Sequence, residues 1–373
     1  MAGSNDNNLT NPAVSASGQV DTLLIERFNN VVHKAYQQGE NLLGHFDVQE
    51  VTGTNMVSNK YIGETALQKL TPGQEPEATP TDMDKNGLVV DTIVLGRNTV
   101  HSLHDIQSDV KVQQKLAENQ MGKIKQMEDQ MVIQQLLAGA NTGGVYNPAA
   151  NTITGGIRRV SGHGVAIVVE INSDGSDDND PYKLISAIEV ALMGLVVQRT
   201  PISGLKIIVP VHEFGLLVDY GLVAEQQGGS NEMSGTSFNT MTGSLKGYGI
   251  PVIGSTEFTQ MKLNPHDGAA HHLLSNANNG NRYDVAAWMK DDAMAIVFGK
   301  DSLLAGRTIA MQGDIYFDKK TKSYFIDSWL SEGAIPDRYD NIAVVRRAST
   351  GAGQSTVITS KAQGKAKATR TIS

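Results

Sequence analysis

Residues 104–140 contain no proline and are rich in Gln, Lys, Glu, Met and Leu. Apolar residues recur here at roughly the 3.6-residue period of an α-helix; they are Ile106, Val110, Leu116, Ile124, Met127, Met131 and Leu136. A glycine-containing stop, GANTGG, begins at Gly139. The pattern predicts a helix over residues 104–138, about 50 Å long. Because its apolar stripe is interrupted, we expect a strut that other elements cover only in part.

A proline-rich acidic stretch, LTPGQEPEATPTDMD, occupies residues 70–84. Proline disfavours a helix here, and the density of charge disfavours burial in a core. Residues 54–64 before it are extended and mostly polar, and LVVDTIVL at 88–95 after it is β-branched like a strand. Residues 51–95 therefore predict a long hairpin with a proline-rich tip. An isolated hairpin is only marginally stable in water, so this one requires a partner surface.

The amino-terminal region and the middle of the chain have distinct patterns. Residues 1–20, rich in Asn, Ser, Gly and Ala, predict a mobile arm, and Asp21 caps an amphipathic helix that runs to about Gln38. Helix and strand patterns alternate over residues 181–300, which indicates an α/β module. Within it, residues 225–248 show no period and predict a long loop.

The last third of the chain predicts a hairpin of two long strands that turns at Asp318–Lys322. The run NIAVVRR at 341–347 is expected to close the sheet of this hairpin. Residues 349–373 carry lysine and arginine without any acidic residue, and they predict a disordered basic tail.

Composition excludes several classes of function. The chain has no cysteine, which rules out disulfide scaffolds, thiol catalysis and cysteine-bound zinc. Its formal net charge of −8 disfavours non-specific binding of nucleic acid. Neither a membrane-spanning apolar run nor the basic and apolar blocks of a signal peptide is present, so we expect a soluble protein made in the cytosol.

No catalytic, cofactor or metal site is predicted. The glycine-rich phosphate-binding and nucleophile-elbow motifs are absent, and FGKDS at 298–302 lacks the upstream glycine of a phosphate loop. His266, Asp267, His271 and His272 have metal-ligating side chains, but their spacing is more typical of solvated loop residues. His101 and His104 are better explained by hydrogen bonds at a helix start, and the acidic run SDGSDDND lacks the last ligand of a calcium loop.

The order of these features resembles the plan of the major capsid proteins of tailed double-stranded DNA bacteriophages, in particular short-tailed, autographivirus-like podoviruses. The resemblance covers about residues 21–347. It is carried by the passages VDTLLIERFNNVVHKAY, IGETALQKLTPGQ, VVDTIVLGRNTVHSLHDIQSDV, LKIIVPVHEFGLLVDYG and GSLKGYGIPVIGS. Each passage alone is a weak signal, and their order is the specific one.

The resemblance implies an α+β fold with an inserted α/β domain. Its expected parts are an N-terminal arm (1–50), an extended E-loop hairpin (51–95), a P domain (96–180) that contains the spine helix (104–138), an A domain (181–302), a second P-domain segment with the long β-hairpin and closing strand (303–348), and the flexible basic tail (349–373).

The same resemblance implies a non-enzymatic structural role. Subunits of this family form hexamers and pentamers of an icosahedral shell that encloses the packaged double-stranded DNA, without sequence-specific contact to it. The implied partners are a separate scaffold protein and a portal protein, and a decoration protein is allowed. The implied location is the virion, after assembly in the host bacterial cytoplasm.

Two hypotheses concern particular residues. An acidic arm that finds no place on its own core gains a partner when it lies across a neighbouring subunit. We expect the acids Glu75, Glu77, Asp82 and Asp84 to meet basic residues of that neighbour, with Lys123 and Lys125 as candidates. Gly122 lies in the middle of the predicted helix, and it either allows close approach of another backbone or acts as a hinge during shell expansion.

Two alternatives stay open. The first is an α/β enzyme whose site is the His-rich loop at residues 266–272. The second is another phage virion protein, such as a tail-tube protein, although such proteins are mostly β and lack a helix of spine length.

Overall fold

The computed structural model describes residues 41–73, 75, 77–103, 112–171, 181–219, 223–224, 242–245, 248–257 and 293–347. The predicted arm and helix within residues 1–40, residues 104–111 of the predicted spine helix, and the predicted tail at 349–373 lie outside these ranges.

The described chain contains three α-helices, two short 3₁₀ helices and fifteen strands. The helices are α1 (Val112–Ala140), α2 (Pro181–Val197) and α3 (Val211–Asp219), with 3₁₀ turns at Leu42–His45 and Tyr339–Asn341. The strands are β1 (Val48–Glu50), β2 (Met56–Ile62), β3 (Met83–Val89), β4 (Val94–His101), β5 (Gly144–Asn147), β6 (Thr152–Gly155), β7 (Ile167–Ile171), β8 (Lys206–Pro210), β9 (Val223–Ala224), β10 (Thr242–Leu245), β11 (Pro251–Ser255), β12 (Ala293–Phe298), β13 (Leu303–Asp318), β14 (Ser323–Pro336) and β15 (Ile342–Arg347).

The chain divides into two compact units. The first includes Val90–Glu128 and Arg307–Glu332, and the second includes Asn41–Val89, Asp129–Gly306 and the chain from Gly333 onward. The helix α1 and the strands β13 and β14 each run from one unit into the other.

The first unit is built on long antiparallel strands. These belong to a sheet with the order β1-β13-β14-β4, in which β14 pairs antiparallel with β4 from Ser323↔His101 to Leu330↔Val94. The side chain of Gln120 on α1 donates a hydrogen bond to the carbonyl of Ile326 on β14, at 3.0 Å. This bond ties the helix to the backbone of the sheet.

The second unit has a mixed sheet as its core. Within the described residues this sheet has nine strands in the order β6-β5-β7-β15-β12-β8-β11-β10-β9. Strand β7 is parallel to β5 and β15, β8 is parallel to β11, and β12 is antiparallel to both β15 and β8. All five residues of β7 and residues 207–209 of β8 are buried, as expected for strands that are covered on both faces.

Helix α2 covers this sheet with one apolar stripe. Its fully buried residues Leu184, Ile188, Leu192 and Leu195 recur every three or four positions and therefore share one face. They join the cluster that contains Ile167, Val169, Ile207, Val209, Ala343 and Val345 from the strands. Burial of side chains of this size stabilises the fold by about 1.5–3 kcal/mol each.

The long helix and the long hairpin are confirmed. The prediction placed the helix at residues 104–138, and α1 is described from Val112 and ends at Ala140. The turn between β13 and β14 falls at residues 319–322, within the predicted Asp318–Lys322. The burial of α1 agrees with the expectation of a helix that is covered only in part. Residues 113–119 are partly exposed, whereas residues 131–137 are all buried.

Three local predictions were wrong. The run at 88–95 is not one strand: β3 ends at Val89 to pair with β2, and β4 begins at Val94 to pair with β14. The run at 341–347 does not close the sheet of the long hairpin, since β15 lies between β7 and β12 in the nine-stranded sheet. The predicted loop at 225–248 contains a strand, β10, which pairs with β9 and β11.

Candidate functional site: the polar hairpin and its attachment

Strands β2 and β3 form a regular antiparallel hairpin. They pair from Met56↔Val89 to Ile62↔Met83, and residues 63–82 connect them. The sequence predicted this hairpin from polarity and proline content, but it gave no indication of how the hairpin is held.

The carboxylate of Asp337 holds both strands of the hairpin. Asp337 is buried, and it accepts hydrogen bonds from the side-chain amides of Asn59 and Asn86, each at 2.7 Å, and from the hydroxyl of Tyr61. Asn59 and Asn86 lie directly opposite each other in the hairpin register. Hydrogen bonds to an ionised group are roughly twice as strong as neutral ones, so one carboxylate fixes the position of two strands. Burial, and after it the bond to Asp337, raises the pKa of Tyr61.

The guanidinium of Arg159 lies next to Asp337. It lies between two aromatic rings, 5.4 Å from the centroid of Tyr61 and 4.7 Å from that of Tyr339. Its Nε donates to the backbone carbonyl of Asp337 at 2.8 Å. Its Nη1 lies 3.7 Å from a carboxylate oxygen of Asp84 on β3, and this ion pair is partly exposed. Arg159 thus contacts the hairpin through the Tyr61 ring and Asp84, while its hydrogen bonds to the carbonyls of Asp337 and Pro336 hold the guanidinium in place.

A third attachment lies at the end of the paired strands. The backbone N–H of Ser161 donates to the Asp82 carboxylate at 2.7 Å, and the Ser161 hydroxyl donates to the same carboxylate. Gly63 N–H donates to the Asp82 carbonyl, and Glu64 N–H donates to the Ser161 carbonyl. The hydrogen bonds from the Ser161 hydroxyl and N–H hold the pKa of Asp82 below its ordinary value.

Beyond these attachments the hairpin tip is exposed. Every described residue from 64 to 80 is exposed, including Leu67 at 96% and Leu70 at 68%. The tip is braced internally, because the Gln68 amide donates to the Glu77 carbonyl at 2.6 Å and to the Thr79 hydroxyl at 2.9 Å.

The predicted site residues fall into three groups. Asp82 and Asp84 have partners within their own chain, whereas Glu75 and Glu77 are exposed and have no side-chain partner in the described part of the chain. Lys123 and Lys125 are exposed on α1, which belongs to the other unit at these positions. The predicted pairing joins two chains, so it stays a prediction.

The residue Gly122 is half-buried and lies inside the continuous helix α1. Its proposed role as a hinge also stays a prediction.

Several other candidates lie outside the described residues: the His-rich loop at 266–272, His104 and the acidic run at 173–180. His101 is described, and its Nδ1 accepts a hydrogen bond from the N–H of Leu103 at 3.2 Å, as expected for a helix start. Within the described ranges no group of three His, Asp or Glu residues is arranged to hold a metal ion. None of the helices that are described combines the length and apolar character needed to cross a bilayer.

Sequence reasoning missed Asp337, Arg159 and Ser161. Each of them contacts the hairpin across a long separation in sequence, 276 positions in the case of Tyr61 and Asp337. The one local signal was the density of Asn, Asp and Tyr side chains on β2 and β3, which is typical of strands that bind polar partners.

The fold was compared with those of known proteins. No protein-family model matches the sequence, and no curated protein matches it. Among solved structures, a chain of the mature capsid of bacteriophage PhiM1 is 15% identical with a TM-score of 0.64, covering 90% of this chain and 95% of that chain.

The capsid of cyanophage P-SCSP1u gives 13% identity and a TM-score of 0.65, with 91% and 98% covered. The capsid of a native GTA particle gives 9% identity and a TM-score of 0.52, with 87% and 95% covered. These matches confirm the predicted α+β class, and the chain has the fold of phage and GTA capsid proteins.

Proposed function

We propose that the chain is the major capsid protein of a tailed double-stranded DNA bacteriophage, and that it assembles into hexamers and pentamers of an icosahedral shell. The observation that carries this proposal is the extent of the likeness to two phage capsid chains, which covers at least 90% of this chain and 95% of each of theirs. A match of this extent covers much more of the chain than a single shared sheet.

The exposed hairpin tip supports assembly on physical grounds. A segment in which every described side chain from 64 to 80 is exposed contributes almost no burial to its own chain. Exposed apolar side chains such as Leu67 and Leu70 on an extended arm are typical of surfaces that bind another protein. Arms of this kind enlarge the contact area between subunits without enlarging the core, and permanent interfaces often bury about 2,000–5,000 Å².

The finer assignment rests on the sequence passages quoted above. It places the protein in a short-tailed, autographivirus-like podovirus, in the virion after assembly in the host cytoplasm, without enzymatic activity. Its partners in this proposal are copies of itself, a separate scaffold protein, a portal protein and packaged DNA bound without sequence specificity, with a decoration protein allowed. The division into arm, E-loop, P domain and A domain at the boundaries given above belongs to the same proposal.

The test is electron microscopy of the purified protein, expressed alone and together with the scaffold protein of the same phage. We expect closed shells of uniform size in negative stain. A variant in which residues 66–80 are replaced by a short Gly–Ser linker is the matched control. It should remain folded, because the described side chains it loses are all exposed, and it should form no shells. A wild-type protein that stays monomeric at high concentration, with and without scaffold, would contradict the proposal.

A further inference from the structure

A small recess near the base of the hairpin is lined by Arg158, His163, Gln198 and Arg199, together with Glu64. We call it the arginine recess. Its volume is about 210 Å³, which is below the roughly 300–1,000 Å³ of sites for small molecules. A recess of this size accommodates one or two protein side chains.

The two arginines of the recess differ from the other arginines of the chain. In the described residues there are eight arginines, and six of them form ion pairs. These pairs are Arg97–Asp327, Arg159–Asp84, Arg307–Glu332, Arg338–Asp340, Arg346–Glu170 and Arg347–Glu213. Arg158 and Arg199 are the two without a carboxylate partner in that part of the chain, and both line the same recess. Two guanidinium groups against the single carboxylate of Glu64 leave the recess with an excess of positive charge, which favours an anion.

The floor of the recess is held rigidly. The side chain of Gln198 forms two hydrogen bonds with the backbone of Val165, accepting from its N–H and donating to its carbonyl at 2.9 Å. Arg199 has a positive φ of 66°, and its N–H donates to the Val196 carbonyl at 2.8 Å. This left-handed conformation caps the end of α2, and the N–H of Thr200 donates to the Leu195 carbonyl at 3.1 Å. The backbone of Arg199 is thus fixed, while its side chain, like that of Arg158, is exposed.

The same chain carries unpaired acids at the other end of the hairpin. Glu75 and Glu77 are exposed in the tip, which Gln68 braces, whereas Asp82 and Asp84 are already bound to Ser161 and Arg159. The tip thus carries negative charge that could bind to the arginine recess.

The recess and the tip do not meet within one chain. Glu64, which lines the recess, is fixed at the base of the hairpin through its N–H bond to Ser161, at 2.9 Å. Glu75 and Glu77 lie in the far part of the loop formed by residues 63–82. A contact between them joins the tip of one copy to the base of the next, which is a head-to-tail interface of the kind that closes into rings.

We propose that the arginine recess, with Arg158 and Arg199, binds the carboxylates of Glu75 and Glu77 of a neighbouring copy of this chain. This inference rests on the proposed function and assigns a contact within it. Arginine is better suited than Lys123 or Lys125, because its planar fork binds a carboxylate with two parallel hydrogen bonds. In addition, the Nζ of Lys123 already donates to Gln126 at 3.1 Å.

The main experiment exchanges the charges across the contact. The variants are Arg158→Glu with Arg199→Glu, Glu75→Arg with Glu77→Arg, and all four changes together, each compared with wild-type protein for shell yield. Either double variant should lower the yield by about tenfold or more, because like charges then face each other. The fourfold variant should restore it. The matched control, Lys319→Glu with Lys320→Glu at exposed positions outside the recess, should leave the yield unchanged. Circular dichroism establishes that each variant is folded.

Rescue of the acidic-tip variant by reversal at Lys123 and Lys125, in place of Arg158 and Arg199, would overturn the assignment of the recess. Normal shells from the double variant at Arg158 and Arg199 would also overturn it.

A second measurement does not depend on shells. A fluorescent peptide of residues 64–81 should bind the full chain, and Arg158→Glu with Arg199→Glu should weaken that binding about tenfold or more. If wild-type protein forms no shells but binds the peptide in this way, the proposed function fails and the recess assignment stands. If inorganic phosphate binds the recess and the peptide does not, the recess is an anion site of another kind and the inference is wrong.

Discussion

The hydroxyl of Tyr61 donates a hydrogen bond to the buried carboxylate of Asp337. Tyr61 belongs to the first strand of the polar hairpin, and Asp337 follows the last residue of the long strand β14. The bond therefore fixes the hairpin at its base, while the described residues of its tip remain exposed. The hairpin is rigidly attached at one end and available for contact at the other.

Removal of the Asp337 carboxylate should loosen the hairpin. Asp337→Ala removes the acceptor of the Asn59 amide and of the Tyr61 hydroxyl, whereas the Asn86 amide keeps its bond to the Pro336 carbonyl. At roughly 1–3 kcal/mol for an unsatisfied buried group, we expect a loss of about 3 kcal/mol in the free energy of unfolding. Urea denaturation measures this loss, and hydrogen exchange of the β2 and β3 amides locates it. Asp314→Asn, at an exposed position, should change stability by less than about 0.5 kcal/mol. Equal effects of the two substitutions would contradict the role of Asp337.

Arg159 should act through its shape more than through its charge. Arg159→Lys keeps the charge but loses the planar group that lies between Tyr61 and Tyr339. Both Arg159→Lys and Arg159→Ala should lower the free energy of unfolding by about 1–3 kcal/mol. The ion pair with Asp84 is partly exposed, so Asp84→Asn should cost less than about 1 kcal/mol. If Arg159→Lys is neutral while Asp84→Asn is costly, the charge is the dominant contribution.

The attachment through Asp82 should weaken in acid. Hydrogen bonds from Ser161 lower the pKa of Asp82 from its ordinary value of 3.8. A lowered pKa in the folded state means that this carboxylate stabilises the fold above its unfolded pKa, and that the contribution is lost as the pH falls through the folded pKa. The difference in unfolding midpoint between wild-type protein and Asp82→Asn should therefore shrink as the pH falls below 3.8. Glu77→Gln, in the exposed tip, is the matched control, and an equal pH dependence of the two variants would contradict the role of Asp82.

Two glycines of α1 should respond oppositely to alanine. Gly122→Ala should raise helix stability by about 1 kcal/mol and, if Gly122 is a hinge, should trap shells in the unexpanded form. A Cβ at Gly139 would lie 2.8 Å from the Cδ1 of Ile342 and 3.1 Å from the Cβ of Pro336, so Gly139→Ala should cost about 1–3 kcal/mol. Calorimetry measures the stabilities, and microscopy of shells before and after expansion tests the hinge. Normal expansion of Gly122→Ala shells would remove that hypothesis.

Elements with a strong local pattern were predictable from the sequence. The apolar run of β8, the stripe of Leu184, Ile188, Leu192 and Leu195 on α2, and the turn between β13 and β14 all follow from period and turn chemistry. The sheet to which a strand belongs was not predictable. An apolar run such as that of β15 has the same sequence pattern whether the strand lies at the edge or in the centre of a sheet. Its position depends on partner strands that are distant in sequence.

The attachment of the hairpin was also beyond local reasoning. The sequence around Asp337 and Arg159 shows no motif that marks them. They hold the hairpin because they contact strands more than 70 positions away in the chain. The acidic residues of the tip could be recognised from the sequence because four of them occur within residues 75–84. Which of them are bound within the chain depends on Ser161 and Arg159, which lie more than 70 positions away in sequence.

The central position of β15 has a consequence for biosynthesis. Its partners include β7, about 175 positions earlier in the chain, so the nine-stranded sheet cannot close until the ribosome has translated almost the whole protein. Nascent chains that lack residues 342–347 therefore cannot complete the nine-stranded sheet.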